Sequence, residues 1–446
     1  MTRRTGVAQH AARPARFGRD DAIAVAVAVI ASLVGWLRLS DVTRATVWAE
    51  DGQVFLKGAF YAPPFDTLLR PYDGYLHLVP RFIVELVTMV VPPGGYALAL
   101  TAISCAVAGG VAALVYVCSS AVTDSVALRL AFASVTVLVP SLPHEVLGNL
   151  ANLHWFFLWL TPWLLIYRPR SRAGSYLLAA VALVGALTEI EMLFFVPLMG
   201  WRVRDRRGWP VRIALLAGLA AQAVALHVST RSPAAGGALS VDSAVKGYLV
   251  NAVMTLWVGS GSAISSVIAS FGWGLPLLVA LLSLAVLVVV LIRGTGAQRI
   301  AAVAFAAGSL IIWTVAYEVN RPPLGSVDAA APGVIEFTIL RYAPVPSMLL
   351  LAGLLLGLTT VAWRRRLPRV IVAVLAVPLV VVMILNLAPG ETVRSGGPVW
   401  AREIATGRTA CLADPGLGNE ILAIAPGKPW GAVIPCDLLS PSTTHP

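Results

Sequence analysis

The chain has few charged residues for its length. Only 12% of its 446 residues are Asp, Glu, Lys or Arg, whereas 58% are hydrophobic, and the mean hydropathy is +0.81. A typical soluble domain carries about twice this share of charge. The scarcity of charge therefore excludes an ordinary soluble protein and predicts a chain that crosses a membrane several times.

Several signatures of soluble enzymes are also missing. The sequence has no phosphate-binding Gly loop followed by Lys and Ser/Thr, no zinc-ligand spacing and no Ser nucleophile elbow. The paired repeats that many transporters carry are not evident either. The net charge of +11 comes from short basic clusters between apolar segments, as topology signals do, so we exclude nucleic acid as a partner.

A basic segment, residues 1–20, precedes the first apolar segment. It resembles the start of a signal peptide, but no small-residue cleavage site follows it. Trp36, Leu37, Arg38 and Leu39 close the apolar segment instead. We therefore expect an uncleaved first span and a cytoplasmic N-terminus.

Eleven apolar segments predict membrane-spanning helices, because about 20 apolar residues cross the hydrocarbon core and shorter helices are tolerated inside a bundle. They lie near 21–39, 96–118, 126–142, 153–167, 174–188, 190–201, 210–229, 274–292, 299–317, 343–363 and 369–388. With the N-terminus inside, the Arg-rich segments 168–172, 202–207 and 364–369 all fall on the cytoplasmic side. The expected fold class is an all-α polytopic protein of the plasma (inner) membrane.

The fifth and sixth segments are short and are interrupted by Glu189 and Glu191. At ~1.5 Å per residue, each reaches only about 18 to 22 Å. They predict a helical hairpin whose acidic tip lies in the outer half of the bilayer or just beneath its outer surface. Because charges at this depth are costly, we expect the tip to face a polar cavity.

The predicted topology places residues 40–95, 143–152, 230–273 and 318–342 outside, together with the tail 391–446. In the first outer loop, YLHLVPRFIVELVTMVVP predicts an amphipathic helix in the membrane interface, and residues 246–259 predict a second one. The chain is thus expected to consist of the cytoplasmic segment 1–20, a membrane domain over 21–390 and a small, Gly- and Pro-rich extracytoplasmic tail.

The four cysteines fall into two pairs. Cys105 and Cys118 lie in or at the end of the second span, where a thiol behaves as a small apolar group. Cys411 and Cys436 lie in the tail, and an oxidising outer compartment would let them form a disulfide. The alternative is two unpaired thiols.

Polar residues cluster in the segments predicted to lie outside. They are Glu50, Asp51, Arg70, Tyr72, Asp73, His77, Arg81, His144, Glu145, Asn149, Asn152, His154, Glu318, Asn320, Arg321, Arg341 and Tyr342. A carboxylate near the membrane surface can take the proton of an attacking hydroxyl, and the planar donors of Arg suit a phosphate leaving group. These residue types fit transfer of a sugar from a lipid-linked phosphate.

Five features resemble the GT-C superfamily of membrane glycosyltransferases. They are the acidic pair in WAEDGQVF (48–55) after the first span, the long loop that follows, NLHW (152–155) at a span's start, the interrupted hairpin between Arg clusters, and ILRYAPVPSMLLL (339–351). The resemblance covers roughly residues 20–390 and concerns architecture more than motifs. The tail is shorter than the soluble C-terminal domain that many members carry.

In that superfamily a carboxylate of the first outer loop is catalytic, and the donor is a polyprenyl-phosphate sugar. The resemblance implies Asp51 as the general base, Glu50 as its neighbour or substitute, and Arg341 as a contact of the donor phosphate. The other substrate-binding candidates are Tyr72, His77, Arg81, Asn152, His154 and Tyr342. The acceptor is expected to be a glycan, lipid or protein hydroxyl. The superfamily contains metal-dependent and metal-independent members, so a divalent metal stays open and no other cofactor is assigned.

Each candidate residue also has a structural interpretation. Asp51 and Gly52 favour a solvated turn or a helix cap. His77 and Arg81 are one helical turn apart, which fits either a shared cavity or an ordinary interfacial helix. His154 lies where an aromatic belt would anchor a span, and Arg341 suits a side chain that extends to the lipid headgroups.

Two other functions remain open at this stage. A transporter or flippase of lipid-linked sugars would share the arginine and aromatic lining but would not need Asp51 for bond chemistry. A scaffold for envelope assembly would need none of the clustered acids and bases. The sequence does not distinguish among arabinose, mannose, galactose and glucose as the transferred sugar.

Overall fold

The computed structural model describes residues 18–229, 240–320, 339–360 and 366–439. Residues 1–17 of the basic segment 1–20, Arg321, and residues 364 and 365 of the Arg-rich segment 364–369 lie outside the described residues. The structure is 74% helical. The all-α class predicted for the membrane domain is therefore confirmed at this coarse level.

The first half of the chain forms ten α-helices. They are α1 (Arg19–Leu37), α2 (Asp41–Arg44), α3 (Lys57–Tyr61), α4 (Leu78–Val90), α5 (Tyr96–Cys118), α6 (Val126–Leu138), α7 (Leu142–Glu145), α8 (His154–Ile166), α9 (Arg172–Ala186) and α10 (Trp209–Val228). A π-helical stretch (Asp51–Leu56) and 3₁₀ stretches (Pro93–Gly95, Ser119–Ala121, Ala151–Leu153, Ile190–Gly200 and Arg206–Gly208) lie between them.

The second half contributes nine further α-helices and two strands to the described structure. They are α11 (Val241–Tyr248), α12 (Thr255–Val258), α13 (Gly261–Phe271), α14 (Gly274–Arg293), α15 (Gly296–Asn320), α16 (Pro344–Thr359), α17 (Arg366–Leu385), α18 (Trp400–Ala413), β1 (Asn419–Ala423), β2 (Gly431–Pro435) and α19 (Cys436–Leu439). A π-helical stretch, Leu249–Met254, joins α11 to α12.

Each of the eleven predicted segments is helical over most of its length. Among the described residues, five helical elements are long and apolar enough to cross a membrane, or six if one bent pair counts as a span. The five are Arg19–Leu37, Pro93–Ala121, Arg206–Val228, Gly274–Arg293 and Gly296–Asn320. The protein is thus membrane-embedded. The count of eleven spans stays a prediction, since most of the other apolar helices have only 10–17 residues.

The two halves of the predicted hairpin differ in helix type. Its first half is the α-helix Arg172–Ala186, whereas the second, Ile190–Gly200, is a 3₁₀ helix that contains Pro197. Proline lacks the N–H that an α-helix interior requires, and a 3₁₀ helix rises about 2.0 Å per residue instead of 1.5 Å. The tighter winding lets eleven residues reach about 22 Å.

The segment expected as a second interfacial helix is part of a larger bent unit. Val241–Val258 and Gly261–Phe271 meet at 103°. The bend falls at Gly259, which has φ +90°, a conformation that side chains with a Cβ rarely adopt. This geometry is that of a broken span or a re-entrant loop rather than of one helix lying in the interface.

One end of the bundle collects basic residues. Asp20 pairs with Arg129 at 3.3 Å and with Arg170 at 3.5 Å, and Arg168 pairs with Asp205 at 2.8 Å. We call this the basic end. The Arg-rich segments 168–172 and 202–207 thus share one side of the molecule, whereas its assignment to the cytoplasm remains a prediction.

The tail folds into a small unit. Helix α18 packs beside the antiparallel pair β1 and β2, in which Ile421 faces Val433. A disulfide joins Cys411 to Cys436, with 5.6 Å between their Cα atoms. The sequence had predicted a loop-dominated appendage for residues 391–446, so the helix and the hairpin are additions to that prediction.

The tail docks on the first long loop, at the end opposite the basic residues. Ala425 donates its N–H to the carbonyl of Val47 (3.1 Å), and Trp400 donates to that of Ala45 (2.8 Å). A Cβ atom at Gly52 would lie 2.8 Å from Cδ1 of Ile424, so a larger residue at this position would have to displace that side chain. The tail therefore packs directly against the segment that carries the acidic pair.

Candidate functional site

The acidic pair lies at the start of a helical segment. Glu50 and Asp51 begin a run that continues through the π-helical stretch Asp51–Leu56 into α3. The solvated turn considered for Asp51 and Gly52 is therefore wrong. Gly52 is helical, and its lack of a side chain serves the docking of the tail.

Asp51 is buried, with an exposed fraction of 2%. Its Oδ2 and Oδ1 atoms accept hydrogen bonds from the N–H groups of Leu150 (2.9 Å) and Ala151 (2.8 Å). These N–H groups precede α8 and would otherwise lack partners. Burial raises the pKa of Asp51 to about 7, although the two N–H groups oppose this rise. Asp51 thus ties the first loop to the NLHW segment.

A polar cavity lies next to this connection. It encloses about 730 Å³ of empty space, including its open mouth. Its lining comprises Glu50, Phe55, Tyr72, Asp73, Tyr75, His77, Ala151, Asn152, His154, Trp155, Glu189, Ile190, Glu191, Asn320, Arg341 and Tyr342. Seven of the predicted site residues are in this set, whereas Asp51 and Arg81 are not.

Glu50 faces an arginine across the cavity. Its Oε1 atom lies 3.7 Å from Nη1 of Arg341, and the same nitrogen lies 3.4 Å from Oε1 of Glu145. The Oε2 atom of Glu50 has no hydrogen-bond partner in the described part of the chain. One guanidinium is therefore shared loosely between two carboxylates, and one of these carboxylates has an unused oxygen.

One side of the Arg341 guanidinium group is not hydrogen-bonded to the protein in the described ranges. Its Nε donates to the hydroxyl of Tyr342 at 3.3 Å, and the Tyr342 ring contacts Trp155 edge-on at 6.1 Å. Within the described ranges, no residue accepts from its Nη2, and 35% of the side chain is exposed. A planar donor group that is held on one side and accessible on the other suits an anion.

The residues before α8 are held by hydrogen bonds among themselves. Asn152 donates from its backbone (3.0 Å) and its side chain (2.9 Å) to Oδ1 of Asn149, and its own Oδ1 accepts from Trp155 (3.2 Å). The side chain of Asn149 donates to the carbonyl of Glu145. The predicted binding residue Asn152 therefore shapes the cavity wall through contacts within the protein.

The acidic hairpin tip reaches the same wall. Nδ1 of His154 contacts Oε2 of Glu189, and Oε1 of Glu189 accepts from the N–H of Glu191 at 2.6 Å. Both oxygens of Glu189 are thus engaged, and they orient the imidazole. The expectation that the tip faces a polar cavity is met by these two glutamates.

A tight turn places two tyrosines at the cavity. Asp73 and Gly74 have φ values of +49° and +88°, and Tyr72 and Tyr75 exchange backbone hydrogen bonds of 2.9 and 3.2 Å. An Asp-Gly pair favours such a turn because both central residues need positive φ. Burial raises the pKa of Tyr72 to about 12, so its hydroxyl stays a donor at neutral pH.

His77 follows this turn, directly before α4, and is buried. Its ring contacts that of Tyr75 at 4.0 Å, and Tyr72 and Phe55 lie at 5.7 Å. Burial lowers the pKa of His77 well below its usual value, so the imidazole is neutral. It can therefore offer a hydrogen bond but no positive charge.

Arg81, one helical turn after His77, does not line the cavity. Its guanidinium lies over the ring of Phe55, 5.4 Å from the centroid. Burial lowers the pKa of Arg81 to about 10, which leaves it protonated at neutral pH. Of the two residues expected to share the cavity, only His77 lines it. Arg81 instead packs against Phe55, which is part of the cavity wall.

Some lining residues were not among the predicted site residues. Tyr75 and the pair Glu189 and Glu191 are the main ones. The signals available were the Asp-Gly turn between two tyrosines and the acidic tip between Arg clusters. In the described ranges, no group of three or more His, Cys, Asp or Glu side chains is arranged to hold a metal ion.

Comparisons with protein-family models, with curated proteins and with solved structures found no match to this chain. We therefore infer the function of the protein from the geometry of the cavity.

Proposed function

We propose that this protein is a membrane glycosyltransferase with a GT-C-like fold of about eleven spans. It takes a sugar from a polyprenyl-phosphate donor and gives it to a hydroxyl of a cell-envelope glycan, lipid or protein. The cavity end faces the outside of the plasma membrane, and the basic end faces the cytoplasm, in line with the positive-inside rule.

The observation that carries this proposal is the pairing of Glu50 with Arg341 across the cavity. A carboxylate with an unused oxygen can take a proton, and an accessible guanidinium can bind a phosphate. Asp51 was the preferred base from the sequence. Because its two oxygens are occupied by backbone N–H groups and it does not line the cavity, we propose Glu50 instead.

The proposed transfer needs one base and one anion site. The hydroxyl of the acceptor gives its proton to the Glu50 carboxylate, and its oxygen bonds to the anomeric carbon of the donor sugar. The bond between that carbon and the phosphate oxygen breaks, and polyprenyl phosphate leaves with the electron pair. Arg341 stabilises the negative charge that grows on the phosphate.

Donor binding and activation of Glu50 are linked through Arg341. In the structure its Nη1 is shared by Glu50 at 3.7 Å and Glu145 at 3.4 Å, both longer than a strong charged hydrogen bond of about 2.8 Å. A phosphate that binds bidentately competes for this guanidinium. Glu50 then loses its cation and becomes a better base, and Glu145 keeps Arg341 in place.

The remaining lining suits a sugar. Tyr72, Tyr75, Trp155 and Tyr342 supply ring faces and polar tips around one space. Asp73 and Glu191 bring carboxylates to the same space. Aromatic surfaces combined with a few oriented polar groups are typical of small-molecule sites.

The test uses the purified full-length protein in liposomes. Labelled polyprenyl-phosphate arabinose, mannose, galactose and glucose are offered with an envelope acceptor fraction, and both acceptor labelling and release of polyprenyl phosphate are measured. Glu50→Gln should lower transfer by about 100-fold or more, because general-base catalysis contributes 10²–10⁴-fold. Asp66→Asn, an exposed carboxylate of the same loop, is the matched control.

Two results would count against the proposal. Transfer by Glu50→Gln at the rate of the unaltered protein would exclude Glu50 as the base. If the unaltered protein transfers no sugar but moves the labelled lipid from one leaflet to the other, the flippase hypothesis replaces the enzyme.

A further inference from the structure

A second, apolar groove lies away from the cavity, between helices α14, α16 and α17. It encloses about 1320 Å³ of empty space, including its open side. The lining consists mainly of Leu, Val and Ala side chains, among them Leu282, Leu355 and Ala376, and it includes Arg293. A groove this apolar, in helices of a membrane protein, is expected to be filled by hydrocarbon.

The groove exists because α17 stands apart from its neighbours. Helices α14 and α16 pack closely, since a Cβ atom at Gly353 would lie 2.8 Å from Leu287. Helix α17 makes its close approach elsewhere, near its end, where a Cβ atom at Gly259 would lie 2.8 Å from Asn386 and 3.3 Å from Val382. The space between α17 and the other two helices is left to another molecule.

The groove has the length of about one leaflet. Along α14 its lining extends from Leu282 to Arg293. At ~1.5 Å per residue this is about 16 Å, roughly half of a hydrocarbon core of about 30 Å. The groove therefore matches lipid chains that enter from one side of the membrane.

That side is the basic end. Arg293 ends α14, and Gly296, which begins α15, lies next to Trp201: a Cβ atom there would be 3.2 Å from the indole. Arg299 donates to the carbonyl of Ile292 at 3.0 Å, so a second guanidinium lies beside the last turn of α14. Both arginines are exposed, and neither forms an ion pair within the described residues.

We propose that this groove binds an anionic phospholipid, with its acyl chains between α17 and α14/α16 and its headgroup phosphate at Arg293 and Arg299. The apolar lining stabilises the chains by the hydrophobic effect. Arg293 in the lining, together with Arg299 beside the last turn of α14, selects for negative charge, as basic pockets between spans do at the membrane surface. This site is separate from the cavity and does not depend on the proposed reaction.

The experiment is native mass spectrometry of the full-length protein released from nanodiscs. The probes are phosphatidylglycerol and phosphatidylcholine with identical acyl chains, mixed in equal amounts. The unaltered protein should retain phosphatidylglycerol in at least fivefold preference. Arg293→Gln should reduce the preference about fivefold, the change that ~1 kcal/mol per arginine represents. Arg204→Gln, another exposed arginine of the basic end, should leave it unchanged.

A second variant tests the groove rather than the charge. Ala376→Trp fills the space between the helices and should lower retention of both phospholipids. Equal retention of the two lipids by the unaltered protein would overturn the proposal, as would a preference that Arg293→Gln leaves unchanged. So would a groove occupied by polyprenyl phosphate that added phosphatidylglycerol does not displace.

Discussion

Arginine and carboxylate side chains meet at both ends of the bundle, but in different surroundings. At the basic end, Arg168 pairs with Asp205 while 62% of the arginine side chain is exposed. At the cavity end, Arg341 is shared by Glu50 and Glu145, of which only 15% and 16% are exposed. Water screens the first pair, so its charges matter little to stability. The partly buried set keeps its charges in a confined space, where they can act on a substrate.

The same comparison applies within the cavity end. Asp51 and Glu50 are neighbours in sequence, yet one is enclosed by backbone N–H groups and the other lines the cavity. A carboxylate that is fully hydrogen-bonded connects segments of the fold. A carboxylate with an unused oxygen is available for proton transfer. Four substitutions test whether these differences in burial and hydrogen bonding have the expected effects.

The largest effect is expected at Glu50. Glu50→Gln keeps the size of the side chain but removes the proposed base, and we expect transfer to fall by about 100-fold or more while the protein still folds. Initial rates with the labelled donor, normalised to the amount of folded protein, measure this. Glu50→Asp keeps the charge and should be less impaired than Glu50→Gln; equal rates for the two variants would argue against a proton-transfer role.

The next effect concerns the tail that packs on the helix of Glu50. Cys411→Ser removes the disulfide that closes the segment up to Cys436. Such a cross-link typically contributes about 2–4 kcal/mol. We expect a lower unfolding temperature in detergent and faster proteolysis of the tail. Cys105→Ser is the control, since this thiol is buried and unpaired. Unchanged proteolysis of the tail would show that the docking contacts alone hold it.

A smaller effect is expected for Asp51→Asn. The new amide cannot accept from both Leu150 and Ala151, which should cost about 1–3 kcal/mol. The pKa of Asp51 is raised to about 7 in the folded protein, above about 3.9 for an unfolded Asp. The unfolded state therefore loses the proton first, and stability falls as pH rises from about 4 to 7.

Thermal unfolding of the unaltered protein and of Asp51→Asn between pH 4 and 8 measures this contribution. The stability of the unaltered protein relative to that of Asp51→Asn should fall as pH rises above about 4 and become constant near pH 7. A difference that is constant with pH would mean that Asp51 is ionised in the folded protein throughout.

The smallest effect is expected at the basic end. Arg168→Gln removes an exposed partner of Asp205 and should change the unfolding free energy by at most about 1 kcal/mol. Transfer should be unaffected, since this pair is far from the cavity end. A loss of transfer comparable with that of Glu50→Gln would show that an exposed ion pair can matter for activity as much as the partly buried set does. Unfolding midpoints and transfer rates measured side by side decide this.

Local features of the chain were predictable from local sequence. The segment 96–118 predicted a span that the structure shows as Tyr96–Cys118, and 274–292 agrees with Gly274–Arg293 to within a residue. Hydropathy is a property of consecutive residues, so it locates such helices directly. The 3₁₀ winding of Ile190–Gly200 and the bend at Gly259 were not anticipated, because both involve departures from regular α-helix within apolar segments.

The site was predictable only as a set of residues. The predicted topology put the polar residues of the first loop, the NLHW segment and the segment before α16 on one side of the membrane, so they were expected to form one site. The topology did not predict which of these residues line the same cavity. His77 and Arg81 share a helical turn, but Phe55 separates Arg81 from the cavity that His77 lines.

By itself, the sequence determined that this is a helical membrane protein, where its apolar helices lie and which segments hold the polar residues, because composition and hydropathy act locally. Which of the two carboxylates, Glu50 or Asp51, lines the cavity became clear from the tertiary structure alone. Adjacent residues on a helix point about 100° apart, so the rotation of one short helix selects which carboxylate meets the cavity. That rotation is set by distant partners, the N–H groups of Leu150 and Ala151 on one side and Ile424 against Gly52 on the other.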